Sequence, residues 1–155
     1  MAEVTYEQAN LLLKIYDLRR EPRLREARAW YMSQFFPVSP EEIIQKYPPG
    51  SEANANMRMV TGYWDMVCGL VNRGLIDDEL FFETNGEAWF VFEKIRPILA
   101  GLRAMFHNPI AFKQIESTVT RLEQHWNRVA PGMAESHRQR IAQMRDQSAR
   151  AAHAN

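Results

Sequence analysis

The segment EANANMRMVTGYWDMVCGLVN (residues 52–72) carries large apolar side chains at the spacing of an α-helix. Steps of three and four residues join Met57, Val60, Trp64, Val67 and Val71. A second apolar stripe runs beside the first and contains Met59, Tyr63, Met66 and Leu70. Because a helix turns by about 100° per residue, the two stripes together cover nearly half of its circumference. We therefore predict a deeply buried central helix with several neighbouring helices.

The remaining arc of this helix is polar or lacks a side chain: Arg58, Thr61, Gly62, Asp65, Gly69 and Asn72. Glycine weakens a helix by about 1 kcal/mol relative to alanine, so the two glycines predict the close approach of another backbone. If this arc is covered, Arg58 and Asp65 need partners, because an unpaired buried charge is costly. We expect an arginine from elsewhere beside Asp65. The arc is the best candidate for a binding pocket, with Trp64 and Trp89 as candidate neighbours.

The first third of the chain is also helical. A first helix is predicted to begin at Thr5, because Thr5 and Gln8 have capping-box spacing. We expect its buried face to contain Tyr6, Ala9, Leu13 and Tyr16. Pro22 has two interpretations: it occupies the first turn of a second helix, or it kinks one long helix. The first interpretation is preferred, with helices at about residues 5–20 and 22–36.

Three later helices are marked by a cap followed by proline or by capping-box spacing: Ser39–Pro40, Thr84–Glu87 and Asn108–Pro109. Pro97 falls inside the second of these helices and should bend it. No segment alternates with period two. We therefore predict an all-α fold, a single-domain irregular bundle of about six helices.

Residues 1–131 form the predicted bundle domain, and residues 132–155 differ from it. This last segment contains good helix formers but few large apolar side chains, among them Ile141 and Met144. It is predicted to be a polar C-terminal helix on the surface or a frayed tail.

The segment GLVNRGLIDDELFFETN (residues 69–85) places several acids in a row: Asp77, Asp78, Glu79 and Glu83. Carboxylates of this kind bind hard cations, but their spacing does not match a calcium-binding loop. The preferred interpretation is a turn between two buried helices. Gly74 ends the central helix, and Asp77 or Asp78 caps a short helical turn.

The segment RREPRLREAR (residues 19–28) is the only basic patch and contains Arg19, Arg20, Arg23, Arg25 and Arg28. Guanidinium groups bind phosphates and carboxylates through two hydrogen bonds at once. Two glutamates interrupt the patch, and ion pairs on the helix surface explain the arginines more simply than an anion site does. A solvated helix face is the preferred interpretation, and an anion site at Arg19, Arg20 and Arg23 is the alternative.

Composition restricts the function classes. The formal net charge is zero, so the chain has no general attraction for nucleic acid. Cys68 is the only cysteine, which fits a reducing compartment. We expect neither a secretory signal nor a membrane span, and we predict a cytoplasmic protein. The histidines and Cys68 form no metal or nucleophile motif, so we predict no catalytic residue, no metal and no cofactor.

The segment YWDMVCGLVNRGLIDDELFFE (residues 63–83) resembles a family of small bacterial helical proteins known as a domain of unknown function. In that family, a helix ending in a G-L-I/V-D-x-E-L turn leads into a second helix with aromatic residues. The segment LRREPRLREARAW (residues 18–30) is similar to members of the same family. The resemblance covers about residues 5–130 and implies an all-helical fold. It implies no catalytic residue.

The sequence predicts a non-catalytic binding or protein-interaction module. Eight methionines and seventeen aromatic residues exceed what a single small core needs, so some should line a protein interface. Self-association through a helix face is the simplest form. The alternative is a receptor for a small molecule or anion that uses the arginine patch or the Arg58 and Asp65 arc.

Overall fold

The computed structural model describes residues 3–154, which form helices and connecting turns and contain no strand. The α-helices are α1 (Tyr6–Arg19), α2 (Pro22–Gln34), α3 (Pro40–Lys46), α4 (Glu52–Asn72), α5 (Asp78–Phe82), α6 (Glu87–Ile95), α7 (Leu99–Met105), α8 (Lys113–Val129) and α9 (Met133–His153). The all-α, single-domain prediction is confirmed. The helices described here outnumber the six predicted for the bundle because the acidic turn forms α5, because a 3₁₀ turn (Arg96–Ile98) at Pro97 separates α6 from α7, and because the C-terminal segment adds α9.

The centre of the fold is α4, which packs against α2 on one side and α8 on the other. Val60, Trp64 and Val67 are fully buried, as the first apolar stripe predicts. Such complete burial of large side chains is the main favourable term in folding. The second stripe is less buried, since Met66 is 52% exposed.

The two glycines of α4 behave differently. A Cβ at Gly69 would lie 3.3 Å from Nη1 of Arg73 and 3.5 Å from Cγ of Gln114 in α8, so side chains lie against this glycine where another backbone was predicted. Gly62 is exposed and has no neighbour within 4 Å, so the prediction is wrong at that position. Near the end of α4, Asn72 contacts Gln114 at the start of α8.

The first two helices are separate, because α1 ends at Arg19 and α2 begins at Pro22. The predicted inner face of α1 is wrong. Tyr6 is 85% exposed and Leu13 is 65% exposed, whereas Ile15 is buried at 2% exposure. Apolar residues occur on several sides of α1, so periodicity alone could not choose the face. The hydroxyl of Tyr63 donates a hydrogen bond to the carbonyl of Ile15, which turns that side inward.

Two predicted helix starts lie too early in the chain. Helix α6 begins at Glu87 with Gly86 at its N-cap, and Thr84 does not cap it. The Glu87 carboxylate is instead occupied by Arg28 and by the indole of Trp64. Helix α8 begins at Lys113, after a turn that follows Asn108. In both cases, contacts with distant residues outweigh the local capping pattern.

The C-terminal segment, predicted as helix or tail, forms α9 as far as His153. Its first half packs on α2, α6 and α8 through Ala134 and the partly buried Ile141. Arg138 donates to the carboxylates of Glu93 in α6 and Glu123 in α8, at 2.9 and 2.6 Å. This arginine therefore ties α9 to two helices of the bundle.

Candidate ligand-binding pocket

The polar arc of α4 faces two different surroundings. Oδ1 of Asp65 accepts a hydrogen bond from the backbone N–H of Ile115 at 3.0 Å, so its partner is the first turn of α8 and not an arginine. Asn72 also faces α8, where it contacts Gln114 and Thr118. Arg58, two turns earlier than Asp65, lies against an apolar cavity instead. The structure therefore does not bring Arg58 and Asp65 to one site.

The cavity at Arg58 has a volume of about 470 Å³ and lies between α3, α4, α7 and the loop at residues 106–112. We call it the Arg58 pocket. Its walls are mostly apolar and include Phe35, Ile43, Ile44, Met57, Ile95, Leu102, Phe106 and Phe112. Ligand pockets in proteins typically span roughly 300–1,000 Å³ and have largely apolar walls. The Arg58 pocket has the size and the lining of a small-molecule site.

The polar side chains of the Arg58 pocket come mainly from one stripe of α4. Asn54, Arg58 and Thr61 follow one another at helical spacing. Asn54 is 8% exposed, and its Nδ2 donates to the carbonyl of Tyr47 at 2.9 Å. The Thr61 hydroxyl donates to the carbonyl of Met57 at 2.9 Å. Arg58, the middle residue of this stripe, is exposed.

The loop at residues 106–112 forms one wall and is held in a strained conformation. His107 and Phe112 have positive φ angles of 50° and 58°. Side chains with a Cβ avoid this region, and each such residue costs on the order of 1–3 kcal/mol. The guanidinium of Arg103 fixes the loop, since it donates to the carbonyl of Ala111 and to the carboxylate of Glu116. The wall is therefore formed before any ligand arrives.

The opposite wall depends on a close approach of α3 to α7. A Cβ at Gly101 in α7 would lie 2.3 Å from Cγ of Pro40 in α3. Only glycine fits at this distance, since real Cβ atoms do not approach a neighbour so closely. The approach brings Ile43 of α3 and Leu102 of α7 to the same cavity.

Two predicted site residues, Trp64 and Trp89, belong to the core. Both are fully buried. The indole N–H of Trp64 donates to Glu87 at 3.2 Å, and that of Trp89 donates to Glu123 at 2.8 Å. Their polar atoms are therefore satisfied within the protein. Neither tryptophan lines the Arg58 pocket.

The arginine patch is separate from the Arg58 pocket. Arg19 stacks on the rings of Tyr16 and Trp64, with its guanidinium carbon 5.2 and 5.6 Å from their centroids. It also lines a smaller cavity of about 280 Å³. The guanidinium of Arg20 lies 5.8 Å from the Tyr16 centroid. Arg23 is partly exposed near the start of α2, where Glu21 caps the helix. An anion site at this patch stays a prediction.

The acidic segment forms a capped turn. The side chain of Asp77 accepts from the backbone N–H of Leu80 and so caps α5, as predicted. Asp78 accepts two hydrogen bonds from Arg121 of α8, at 2.7 and 2.9 Å. Gly74 has a left-handed φ of 72°, which ends α4. In the described part of the chain, no three His, Cys, Asp or Glu side chains are grouped to hold a metal ion.

Cys68 and Lys94 are buried groups whose pKa values are shifted by burial. Burial raises the pKa of the Cys68 thiol to about 12, so this cysteine stays protonated and is a poor nucleophile. Burial lowers the pKa of Lys94 to about 7. Its Nζ donates to the carbonyls of Tyr31 and Met32, where it closes the last turn of α2. Both groups lie outside the Arg58 pocket.

Sequence reasoning missed most residues of the Arg58 pocket. Leu102 and Phe106 have the spacing of ordinary core positions, and Phe112 follows the predicted helix start at Asn108–Pro109, whereas α8 begins only at Lys113. One available signal was Gly101, because a glycine inside a helix suggests a close neighbour. The second was the polar stripe of α4.

None of the helices in residues 3–154 is both long enough and apolar enough to cross a membrane. A search of curated proteins found no match to this chain, and a search of solved structures found none either. A family model does match, over residues 4–122, which is most of the chain and contains the resemblance noted at residues 63–83. The chain belongs to the family described as Domain of unknown function (DUF4760).

Proposed function

We propose that this protein is a non-catalytic binding protein that encloses the apolar part of a small molecule in the Arg58 pocket. The observation that carries the proposal is the cavity of about 470 Å³ with mostly apolar walls. Burial of apolar ligand surface supplies about 25 cal/mol per Å², so such a cavity is a source of affinity. The single free thiol of Cys68 accords with a cytoplasmic location.

The construction of the pocket supports this proposal. Arg103 holds the end of the wall loop at Ala111, Asp65 caps the helix that follows the loop, and the Gly101–Pro40 contact holds α3. Preformed walls lower the entropic cost of binding a ligand. The strained residues His107 and Phe112 lie in the same loop, and strain of this kind is concentrated at functional sites.

The neutral dye Nile red tests the proposal, because its fluorescence rises in apolar surroundings. Ala111 lines the pocket, so Ala111→Trp should fill part of it. Ala29 is exposed on α2, and Ala29→Trp is the matched control. We expect a fluorescence increase with the wild type and the control, and a loss of at least tenfold in affinity with Ala111→Trp. Equal binding by all three proteins would contradict the proposal, as would the absence of binding by the wild type.

A second candidate is self-association through α1. Its outer face exposes Tyr6, Leu13 and Tyr16, which are 85%, 65% and 50% accessible. Contiguous exposed apolar side chains are typical of protein interfaces. Light scattering at high micromolar concentration should then give a dimer for the wild type and a monomer for Leu13→Glu. A wild-type monomer under these conditions would remove this candidate.

A further inference from the structure

We propose that the ligand of the Arg58 pocket is an amphipathic monocarboxylic acid. Its carboxylate would pair with the guanidinium of Arg58, and its hydrocarbon part would lie against the apolar walls. The inference rests on the proposed function and adds the chemical class of the ligand. The experiment below separates a failure of the ligand class from a failure of the pocket itself.

The first argument is the charge of the pocket. Among the described residues that line it, Arg58 is the only charged one. No aspartate or glutamate of this lining opposes it, so the local field favours an anion. A cationic ligand would meet a like charge, and a fully apolar ligand would leave the guanidinium unused.

The second argument is that Arg58 is available. Within residues 3–154 its side chain makes no salt bridge and no hydrogen bond. By contrast, the guanidinium groups of Arg28, Arg103 and Arg121 are each held by a carboxylate. These arginines have structural partners, whereas Arg58 lines the cavity without one. Asn54, one turn away on the same face, uses its amide N–H₂ on the carbonyl of Tyr47.

The third argument is the match between the guanidinium and a single carboxylate. The planar guanidinium donates two parallel hydrogen bonds to a carboxylate, and the charges cancel. A phosphate monoester carries up to two charges, and one arginine would leave part of that charge without a partner. The pocket therefore suits a monoanion better than a dianion.

The composition of the cavity walls suits the hydrocarbon part of the ligand. The walls combine aliphatic side chains such as Ile43 and Leu102 with aromatic ones such as Phe35 and Phe106. Met57 is flexible and adapts its shape to a ligand. These walls accept a hydrocarbon chain, and each methylene that enters should tighten binding by about fourfold. The gain should stop when the cavity is full.

Isothermal titration calorimetry with octanoate, decanoate and decan-1-ol tests the inference. We expect decanoate to bind more tightly than octanoate, and more tightly than decan-1-ol by about ten- to hundredfold, because charge-assisted hydrogen bonds are lost in the alcohol. Arg58→Gln should weaken decanoate by a similar factor and affect decan-1-ol much less, because the alcohol carries no charge. Arg25 is exposed on α2, and Arg25→Gln is the control of equal charge change.

The outcomes separate the two proposals. If decanoate and decan-1-ol bind equally well, or if Arg58→Gln binds decanoate like the wild type, the carboxylate assignment is wrong while the pocket stands. If Ala111→Trp leaves decanoate affinity unchanged, the acid binds elsewhere and the inference fails. If neither compound binds, the inference also fails, and in both cases the proposed function stands or falls with the Nile red result.

Discussion

Asp65 of α4 caps α8: its Oδ1 accepts a hydrogen bond from the backbone N–H of Ile115, 3.0 Å away. The residue at the N-cap of α8 is Phe112, which has no side-chain oxygen and a left-handed backbone. A helix start leaves its first backbone N–H groups without intrahelical partners. A residue 50 positions earlier in the chain therefore supplies the cap that the local sequence lacks.

Replacement of Asp65 should destabilise the protein. We expect Asp65→Ala to lower the free energy of unfolding by about 1 kcal/mol, and Asp65→Asn to lose less, because asparagine is an equally good cap. Urea denaturation measures both values. Glu26 is exposed on α2, and Glu26→Ala serves as the control. An Asp65→Ala protein as stable as this control would show that the hydrogen bond contributes nothing.

Gly101 and Gly62 are a matched pair of helical glycines with opposite expectations. A Cβ at Gly101 would lie 2.3 Å from Pro40, whereas a Cβ at Gly62 would have no neighbour within 4 Å. Gly101→Ala should therefore cost about 1–3 kcal/mol through overpacking. Gly62→Ala should add up to about 1 kcal/mol, since alanine favours the helix. Thermal denaturation distinguishes the two variants. Equal shifts of their melting temperatures in the same direction would contradict the packing of α3 on α7.

Arg138 should control the attachment of α9. Its guanidinium donates to Glu93 and Glu123, which lie on two other helices. We expect Arg138→Ala to lower the free energy of unfolding by about 2 kcal/mol, because hydrogen bonds to charged groups are lost. Arg140 is exposed on the same helix, so Arg140→Ala is the control. Hydrogen exchange should accelerate in α9 of the first variant only, and protection equal to the control would refute the role of Arg138.

Lys94 should make stability depend on pH near neutrality. Its side chain is 4% exposed, and its Nζ lies 3.8 Å from the centroid of the Phe36 ring. Burial lowers its pKa to about 7, whereas an unfolded lysine has a pKa of about 10.4. Between these values the unfolded state binds more protons than the folded state. The free energy of unfolding therefore rises with pH in this window, and below pH 7 the contribution of Lys94 no longer changes.

We expect the free energy of unfolding of the wild type to rise by about 1 kcal/mol from pH 7 to pH 8 through the titration of Lys94. The Lys94→Met protein should lack this rise. Chemical denaturation at several pH values measures the difference between the two curves. The range ends at pH 8 because Cys68 acts in the opposite direction above it: burial raises its pKa to about 12, and an unfolded thiol titrates at about 8.5. Parallel curves for the two proteins would mean that buried Lys94 keeps an ordinary pKa.

The architecture follows from features that the sequence displays locally. The apolar stripe through Val60, Trp64 and Val67 identifies the central helix, and the capping box at Thr5 and Gln8 marks the start of α1. These signals involve residues three or four positions apart, which is the range over which a helix orders its own chain.

The candidate site depends on contacts between distant residues, and these were not predictable in the same way. The polar stripe of α4 points to Arg58, but its neighbours Ile43 and Leu102 come from helices on either side of α4 in the chain. Their convergence depends on the packing of Gly101 against Pro40. At Glu87, too, the local pattern did not reveal a contact with distant residues. The spacing predicts a helix cap, whereas Arg28 and Trp64 bind the Glu87 carboxylate.

Methyl NMR during a decanoate titration is the sharpest test that the ligand binds in the Arg58 pocket, because it locates the ligand on the protein. Ile43, Ile44, Ile95 and Leu102 line the Arg58 pocket. Ile15 and Ile76 are buried elsewhere and serve as internal controls. We expect saturable shifts of the pocket methyl groups, with the methyl groups of Ile15 and Ile76 unmoved. Shifts at Ile15 and Ile76 in place of the pocket methyl groups, or no shift at all, would contradict it.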